Sequence, residues 1–142
     1  MTPQEVADKV AALMWPQDHA ARGLGMEIVA VGPGSATLRM SVRQDMVNSH
    51  GNCHGAFIFA VADAAFAYAC NSDNHHAVAG GANIDFLAPV ELGDVLTATG
   101  TRRQQGGRSG LYDIEVTNQD SKLVAVFRGR SVRVKGHFFP QE

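Results

Sequence analysis

Between Ala56 and Cys70 the chain reads AFIFAVADAAFAYAC, fifteen residues in which Asp63 is the only charged side chain. An ionised carboxylate in apolar surroundings loses hydration at a cost of several kcal/mol, so it is rarely left there without a partner. Two readings of Asp63 compete. It could face a solvent cleft, or take a hydrogen bond from a neighbouring loop, and do nothing more. Alternatively its poor hydration is its purpose, giving a carboxyl with a raised pKa or a carboxylate that is a stronger base toward a bound water. Position alone does not separate the two, since an odd buried charge points to function only statistically.

His54 and Gly55 open that run. A helix starting there presents backbone N–H groups that have no internal acceptor, at the positive end of its dipole. Gly55 lets a ligand approach the backbone with no side chain in the way. Such a terminus can polarise a carbonyl and stabilise the oxyanion formed on attack, an interaction worth roughly a hundred- to a thousandfold in rate. Asp63 lies eight residues further on, about 12 Å along the axis at roughly 1.5 Å per residue. It cannot touch its own helix start. Either a substrate spans the gap, or Asp63 acts on a carbonyl held by the antiparallel helix of a second subunit.

These residues need elements to hold them. Thr2-Pro3-Gln4-Glu5 combines a capping hydroxyl, a first-turn proline and an acid. Val6, Val10, Leu13 and Met14 follow at helical spacing, so an amphipathic helix is expected from residue 3 to about residue 19. Residues 26–31 and 36–42 read as a hairpin across Gly32-Pro33-Gly34-Ser35, and the polar stretch 44–53 as an irregular loop. Helix 56–70 carries apolar residues on every side and should be buried nearly all round. Beyond it, 77–87, 94–101, 111–117 and 123–134 are strand-like, separated by 89–93, 104–108 and 118–122. Tyr112, Ile114 and Val116 alternate with Asp113, Glu115 and Thr117, the period of a half-exposed strand. The fold class is α+β, an antiparallel sheet wrapped around a central helix, in one domain spanning 1–142 with 1–22 as N-terminal helix and lead-in. Such a sheet has edge strands with unpaired backbone groups, and pairing two copies edge to edge would satisfy them, so a homodimer is expected.

With 45% hydrophobic and 18% charged residues the chain can build a core, and its net charge of −2 speaks against nucleic-acid or anionic-membrane partners. No long apolar run spans a bilayer, because Asp63 interrupts the best candidate, residues 56–70. The N-terminal MTPQEVADKV lacks the basic and apolar regions of a signal peptide, and Cys53 and Cys70 form no disulfide framework. A cytoplasmic location is expected. His50, Cys53 and His54, with His75 and His76 further on, lack zinc-site spacing, and Gly32–Ser35 lacks the features of a dinucleotide loop, so no metal or cofactor is expected. There is no nucleophile elbow, and Cys53 is set aside as a nucleophile.

The run from Asn48 through His54-Gly55, followed by Asp63, resembles the active-site signature of hotdog-fold acyl-CoA thioesterases of the phenylacetic acid degradation (PaaI) type. The segments Asn83-Ile84-Asp85-Phe86-Leu87-Ala88-Pro89, Tyr112-Asp113-Ile114-Glu115-Val116 and Val126-Phe127-Arg128-Gly129 are also similar to that family, and the likeness runs from about residue 25 to 134. The joint spacing of Asn, His-Gly and Asp makes it specific. The resemblance implies a hotdog fold and hydrolysis of an acyl-CoA such as a phenylacetyl or hydroxyphenylacetyl ester. By the same carry-over Asp63 is base or nucleophile, Gly55 the oxyanion donor and Asn48 the residue that orients the nucleophile. His54 would shape the loop or bond the thioester side.

Some relatives carry a hydroxyl on the strand facing the site. Residues 78–82 here read Val-Ala-Gly-Gly-Ala, and the two glycines are expected to leave room for a bulky acyl group. Phe57, Phe59, Phe66 and Tyr68 would give an aromatic-friendly lining. For the phosphates of coenzyme A the candidates are Gly107, Arg108 and Ser109, with Arg102 and Arg103 nearby and Arg128 and Arg130 in the last strand. A dimer of dimers, hence a homotetramer, is the expected assembly. Two other functions are weighed against hydrolysis. A hotdog hydratase or dehydratase would use an Asp and His paired near the helix start, whereas here the acid lies deep in the helix. A non-catalytic acyl-CoA-binding module usually comes fused to a DNA-binding segment, for which the short N-terminal helix leaves no room.

Overall fold

Thr2 opens the first helix, α1 (Pro3–Met14), through a reciprocal cap: its hydroxyl accepts from Glu5 N–H at 3.1 Å, and its own N–H donates to the Glu5 carboxylate at 2.8 Å. The helix stops short of the expected residue 19. Pro16 has no N–H and crowds the carbonyl of the preceding turn, so Trp15–Gln17 tighten into a 3-10 turn. Asp18 then starts a separate short helix, α2 (His19–Gly23), by accepting from Ala21 N–H at 3.2 Å. The chain continues through strands β1 (Glu27–Gly32) and β2 (Ser35–Ser41), the long helix α3 (Gly55–Cys70), and strands β3 (Ala77–Phe86), β4 (Val95–Gln105), β5 (Ser109–Thr117) and β6 (Leu123–Arg133). This is a computed structural model, and it describes residues 1–141.

The hairpin lies where the sequence places it. Gly32 pairs with Ser35, leaving Pro33 and Gly34 as a two-residue turn whose second position needs the left-handed backbone that glycine adopts freely, φ +67°. All strands are antiparallel, in the order β1-β2-β4-β5-β6-β3. Because β3 lies at the far edge from β2, α3 must carry the chain across the whole face of the sheet. That crossing puts the helix at the centre of the fold.

The inner faces of the strands present Leu38 and Met40, Leu96 and Ala98, Tyr112, Ile114 and Val116, and Phe127, all buried against α3. From the helix, Val61, Ala62, Ala65, Phe66 and Ala69 pack down onto them. Alanines bring the helix close, and Gly129 on β6 is the receiving point. A Cβ there would lie 2.8 Å from the Phe66 ring, and this ring also meets Tyr112 and Phe127 at centroid distances of 5.6 and 5.8 Å.

Two expectations are corrected here. The central helix is not buried all round. Ala60, Asp63, Ala64 and Ala67 are only half-buried and Ala56 is exposed, forming a stripe of small residues along one side. The reason is geometric: a single sheet covers one side of a helix, and α2 adds cover only near its end. The β4–β5 connection is also shorter than expected. The strands run on through Arg102, Arg103 and Ser109, with a register shift between Arg102 and Gln104. Polar residues do not end a strand when they find partners on either face: Arg103 pairs with Asp113 at 3.3 Å on the outer face, and Arg102, opposite Tyr112 on the inner face, bonds its hydroxyl at 2.9 Å.

Candidate active site

Asp63 occupies the middle of α3 on its half-open stripe. No donor or cation among the described residues bonds its carboxylate. Helix geometry makes Phe59, Ala60, Phe66 and Ala67 its side-chain neighbours on α3, and none of them can stabilise a charge. Burial therefore pushes its pKa above the ordinary carboxylate range, and the negative charge of Asp18 pushes in the same direction. Asp18 itself is held at the start of α2 and accepts a hydrogen bond from the Tyr68 hydroxyl at 3.1 Å. Of the two readings open at the sequence level, the hydrogen-bonded structural carboxylate is the one this geometry disfavours.

The start of α3 is fixed from outside the helix. His54 has an extended backbone, φ −59° and ψ 136°, and its N–H donates to Met46 C=O at 2.8 Å. Its imidazole is exposed and makes no capping bond. Phe57 N–H turns back onto His54 C=O at 3.0 Å, while the Gly55 and Ala56 N–H groups meet no acceptor among the described residues. Asn48 organises the preceding loop, its side-chain oxygen accepting from His50 N–H at 2.9 Å and Asn52 N–H at 3.1 Å. Only its amide nitrogen remains free to donate elsewhere.

Asn48 and Gly55 line one groove of about 550 Å³, together with Cys53, Ile58, Phe86 and Val90. Asp63 does not line it. Phe86, the last residue of β3, lies over the helix start, so that a Cβ on Gly55 would fall 2.9 Å from its nearest ring carbon. In the sequence Phe86 carries no separate signal as a site residue. Period-two alternation puts it on the inner face, but only the crossing of α3 shows that it meets Gly55.

The other expected site residues lie apart from the groove. Asn71, which ends α3, accepts from Ala77 N–H at the start of β3 through its side-chain oxygen at 2.8 Å. Ala77 pairs with Arg133, whose N–H donates to Arg108 C=O at 2.7 Å. Gly107, Arg108 and Ser109 are therefore exposed at the C-terminal end of α3. Within one chain the length of that sixteen-residue helix, about 24 Å, separates them from Gly55. Arg128 is committed to Asp113 by two bonds of 2.7 and 3.0 Å, and Arg130 donates to Gly80 C=O at 2.8 Å.

Of the two glycines on β3, Gly80 has its Cβ position filled by Val132 and Arg130 at 2.6 and 2.8 Å, whereas beside Gly81 the nearest side-chain atom, of Arg130, lies 3.8 Å away. Phe66 and Tyr68 are core residues, and Phe57 and Phe59 are half-buried and packed against that core. Among the described residues no three His, Cys, Asp or Glu side chains converge as metal ligands would.

The chain is similar to known proteins over most of its length. A profile described as the thioesterase superfamily matches residues 50–125, which contain both the helix start and Asp63. The chain is 48% identical to the acyl-coenzyme A thioesterase PaaI of Escherichia coli over 89% of its own length and 90% of that protein. The solved structure of the E. coli PaaI protein from the phenylacetic acid degradation operon superposes with a TM-score of 0.94 at 46% identity, covering 96% of this chain and 99% of that one. A Streptococcus mutans protein solved bound to acetyl CoA superposes with a TM-score of 0.76 at 25% identity, covering 79% of this chain and 90% of that one.

Proposed function

The chain belongs to the thioesterase superfamily and is a hotdog-fold acyl-coenzyme A thioesterase, and on that premise we propose that Asp63 and the start of α3 share the hydrolysis of aryl-acyl esters such as phenylacetyl-CoA or hydroxyphenylacetyl-CoA. The observation that carries the reading is the pairing of an unpartnered carboxylate on the open stripe of α3 with two unpaired N–H groups, Gly55 and Ala56, at its start. The thioester carbonyl accepts from Gly55 N–H, which draws charge onto its oxygen and opposes the negative charge that builds up on attack. Asp63 takes a proton from water as the water oxygen bonds to the carbonyl carbon. Collapse of the tetrahedral intermediate breaks the carbon–sulfur bond and releases the coenzyme A thiolate, which takes up the proton, and a carboxylic acid. Direct attack by Asp63 through an anhydride uses the same groups. The free amide nitrogen of Asn48 is placed to orient the nucleophile, and exposed His54 to border the thioester.

Because Asp63 lies about 12 Å from its own helix start, the reading requires two chains. The edge strand β3 is exposed along nearly its whole length, with Val78 uncovered, and supplies an edge for a partner. An antiparallel partner helix would also bring one chain's Gly107, Arg108 and Ser109 toward the other's Gly55, where they could meet coenzyme A phosphates. We place the working unit as a dimer at least, with two dimers pairing into a tetramer. Both cysteines are free, and no helix among the described residues is long and apolar enough to cross a membrane, which fits a cytoplasmic enzyme.

The test is thiol release from aromatic and aliphatic acyl-CoA esters, by wild type and by Asp63→Asn, with the assembly sized alongside. Fast release from phenylacetyl or hydroxyphenylacetyl esters that Asp63→Asn abolishes supports the assignment. Unchanged turnover in Asp63→Asn, or an active monomer, refutes the shared site.

A further inference from the structure

We propose that Phe86 is a specificity-determining residue whose ring forms the aromatic wall against which an aryl acyl group packs at the start of α3. This rests on the thioesterase reading above and names the side chain that gives its site a preference. Among the described residues Phe86 is the only aromatic one lining the groove, the other apolar walls including Ile58, Leu87, Ala88, Pro89 and Val90. Its backbone is rigidly set. Phe86 pairs with Ala125 in the β3–β6 ladder, and Leu87 N–H donates to Val124 C=O at 2.8 Å.

The residue is nevertheless 51% exposed, although it is held by a ladder and points toward the inner face. The ring is spent on the groove instead of the core. It also abuts Gly55, the residue whose amide would hold the thioester carbonyl, with the nearest ring carbon 2.9 Å from the Cβ position of that glycine. The carbonyl carbon carries the acyl group, so an acyl chain one or two atoms long ending in a ring reaches Phe86. Offset or edge-to-face packing there favours an aryl group over an alkyl chain of similar size.

The experiment compares kcat/KM for phenylacetyl-CoA and hexanoyl-CoA in wild type, Phe86→Leu and Phe86→Tyr. Taking the ratio of the two substrates cancels any general loss of activity from altered folding. Wild type favours the aryl ester, Phe86→Leu lowers that preference by about three- to tenfold, and Phe86→Tyr, which keeps the ring, retains it. An unchanged ratio in an active Phe86→Leu enzyme, or an equal fall in Phe86→Tyr, overturns the inference alone. A wild-type protein that releases no thiol from either ester overturns the hydrolytic reading, and this inference with it.

Discussion

Gly55→Ala separates what the helix start does for the fold from what it does for chemistry. The added methyl would lie 2.9, 3.3 and 3.3 Å from three carbons of the Phe86 ring, where ordinary contacts begin near 3.4 Å. The ring must therefore move by about half an ångström. Because Phe86 is half exposed, it can swing toward solvent, and the displacement costs about 1 kcal/mol, the low end of overpacking penalties. Against this, Gly55 already has an ordinary helical backbone, and replacing glycine by alanine at a compatible site stabilises by roughly 0.5–1 kcal/mol. The two effects nearly cancel, and the melting temperature should stay within about 4 °C of wild type. Turnover should not survive. The methyl and the displaced ring stand beside the amide that would receive the thioester carbonyl, and misplacing reacting groups by about 1 Å costs on the order of a hundredfold. Scanning calorimetry and steady-state thiol release on the same sample decide the matter. Wild-type kcat/KM with an unchanged melting temperature would refute the role of this amide. A melting temperature lowered by more than about 10 °C, with full activity per folded molecule, would show that Gly55 serves packing alone.

Three further outcomes are expected. Asp63→Asn should lower kcat by about a hundred- to ten-thousandfold while raising stability. Burial first, and the charge of Asp18 second, hold the Asp63 carboxyl above the ordinary range, so its ionised form costs stability at neutral pH. That cost fades as pH falls through the folded pKa and is gone below the unfolded value. Asp63→Asn should thus melt above wild type at about pH 8, with the gap closing toward about pH 4, and calorimetry at both pH values checks it. Asn74→Ala should lower the melting temperature by about 10 °C. Asn74 sits at φ 69°, its side-chain oxygen accepts from Phe138 and Phe139 N–H, and its amide donates to Phe139 C=O, tying residues 138 and 139 down at the end of α3. Burial pushes the thiols of Cys53 and Cys70 up to about 11 and about 12, so neither should react with a disulfide dye at about pH 8 until the protein is denatured. Rapid labelling of the native enzyme would contradict the buried placement of both.

Local pattern alone specified much of this protein. The turn at Pro33 and Gly34, the helix from Gly55 to Cys70 and the alternating strand around Ile114 each follow from side chains a few residues apart, and each lies where the sequence puts it. Asp63 was legible for the same reason: a lone acid in a long apolar run needs no partner from elsewhere to be noticed. The sequence also carried the conflict between Pro16 and a long first helix, although helical spacing on both sides of it masked the break.

Contacts between residues far apart in the chain were decided only by the fold. Strand order sends β3 to the far edge, so α3 crosses the sheet, and this crossing sets Phe86 over Gly55 and places Arg108 at the opposite end of the helix. The open stripe through Asp63 has the same origin. Alanine looks equally apolar on every side of a helix in sequence, but one sheet can cover only the side that faces it.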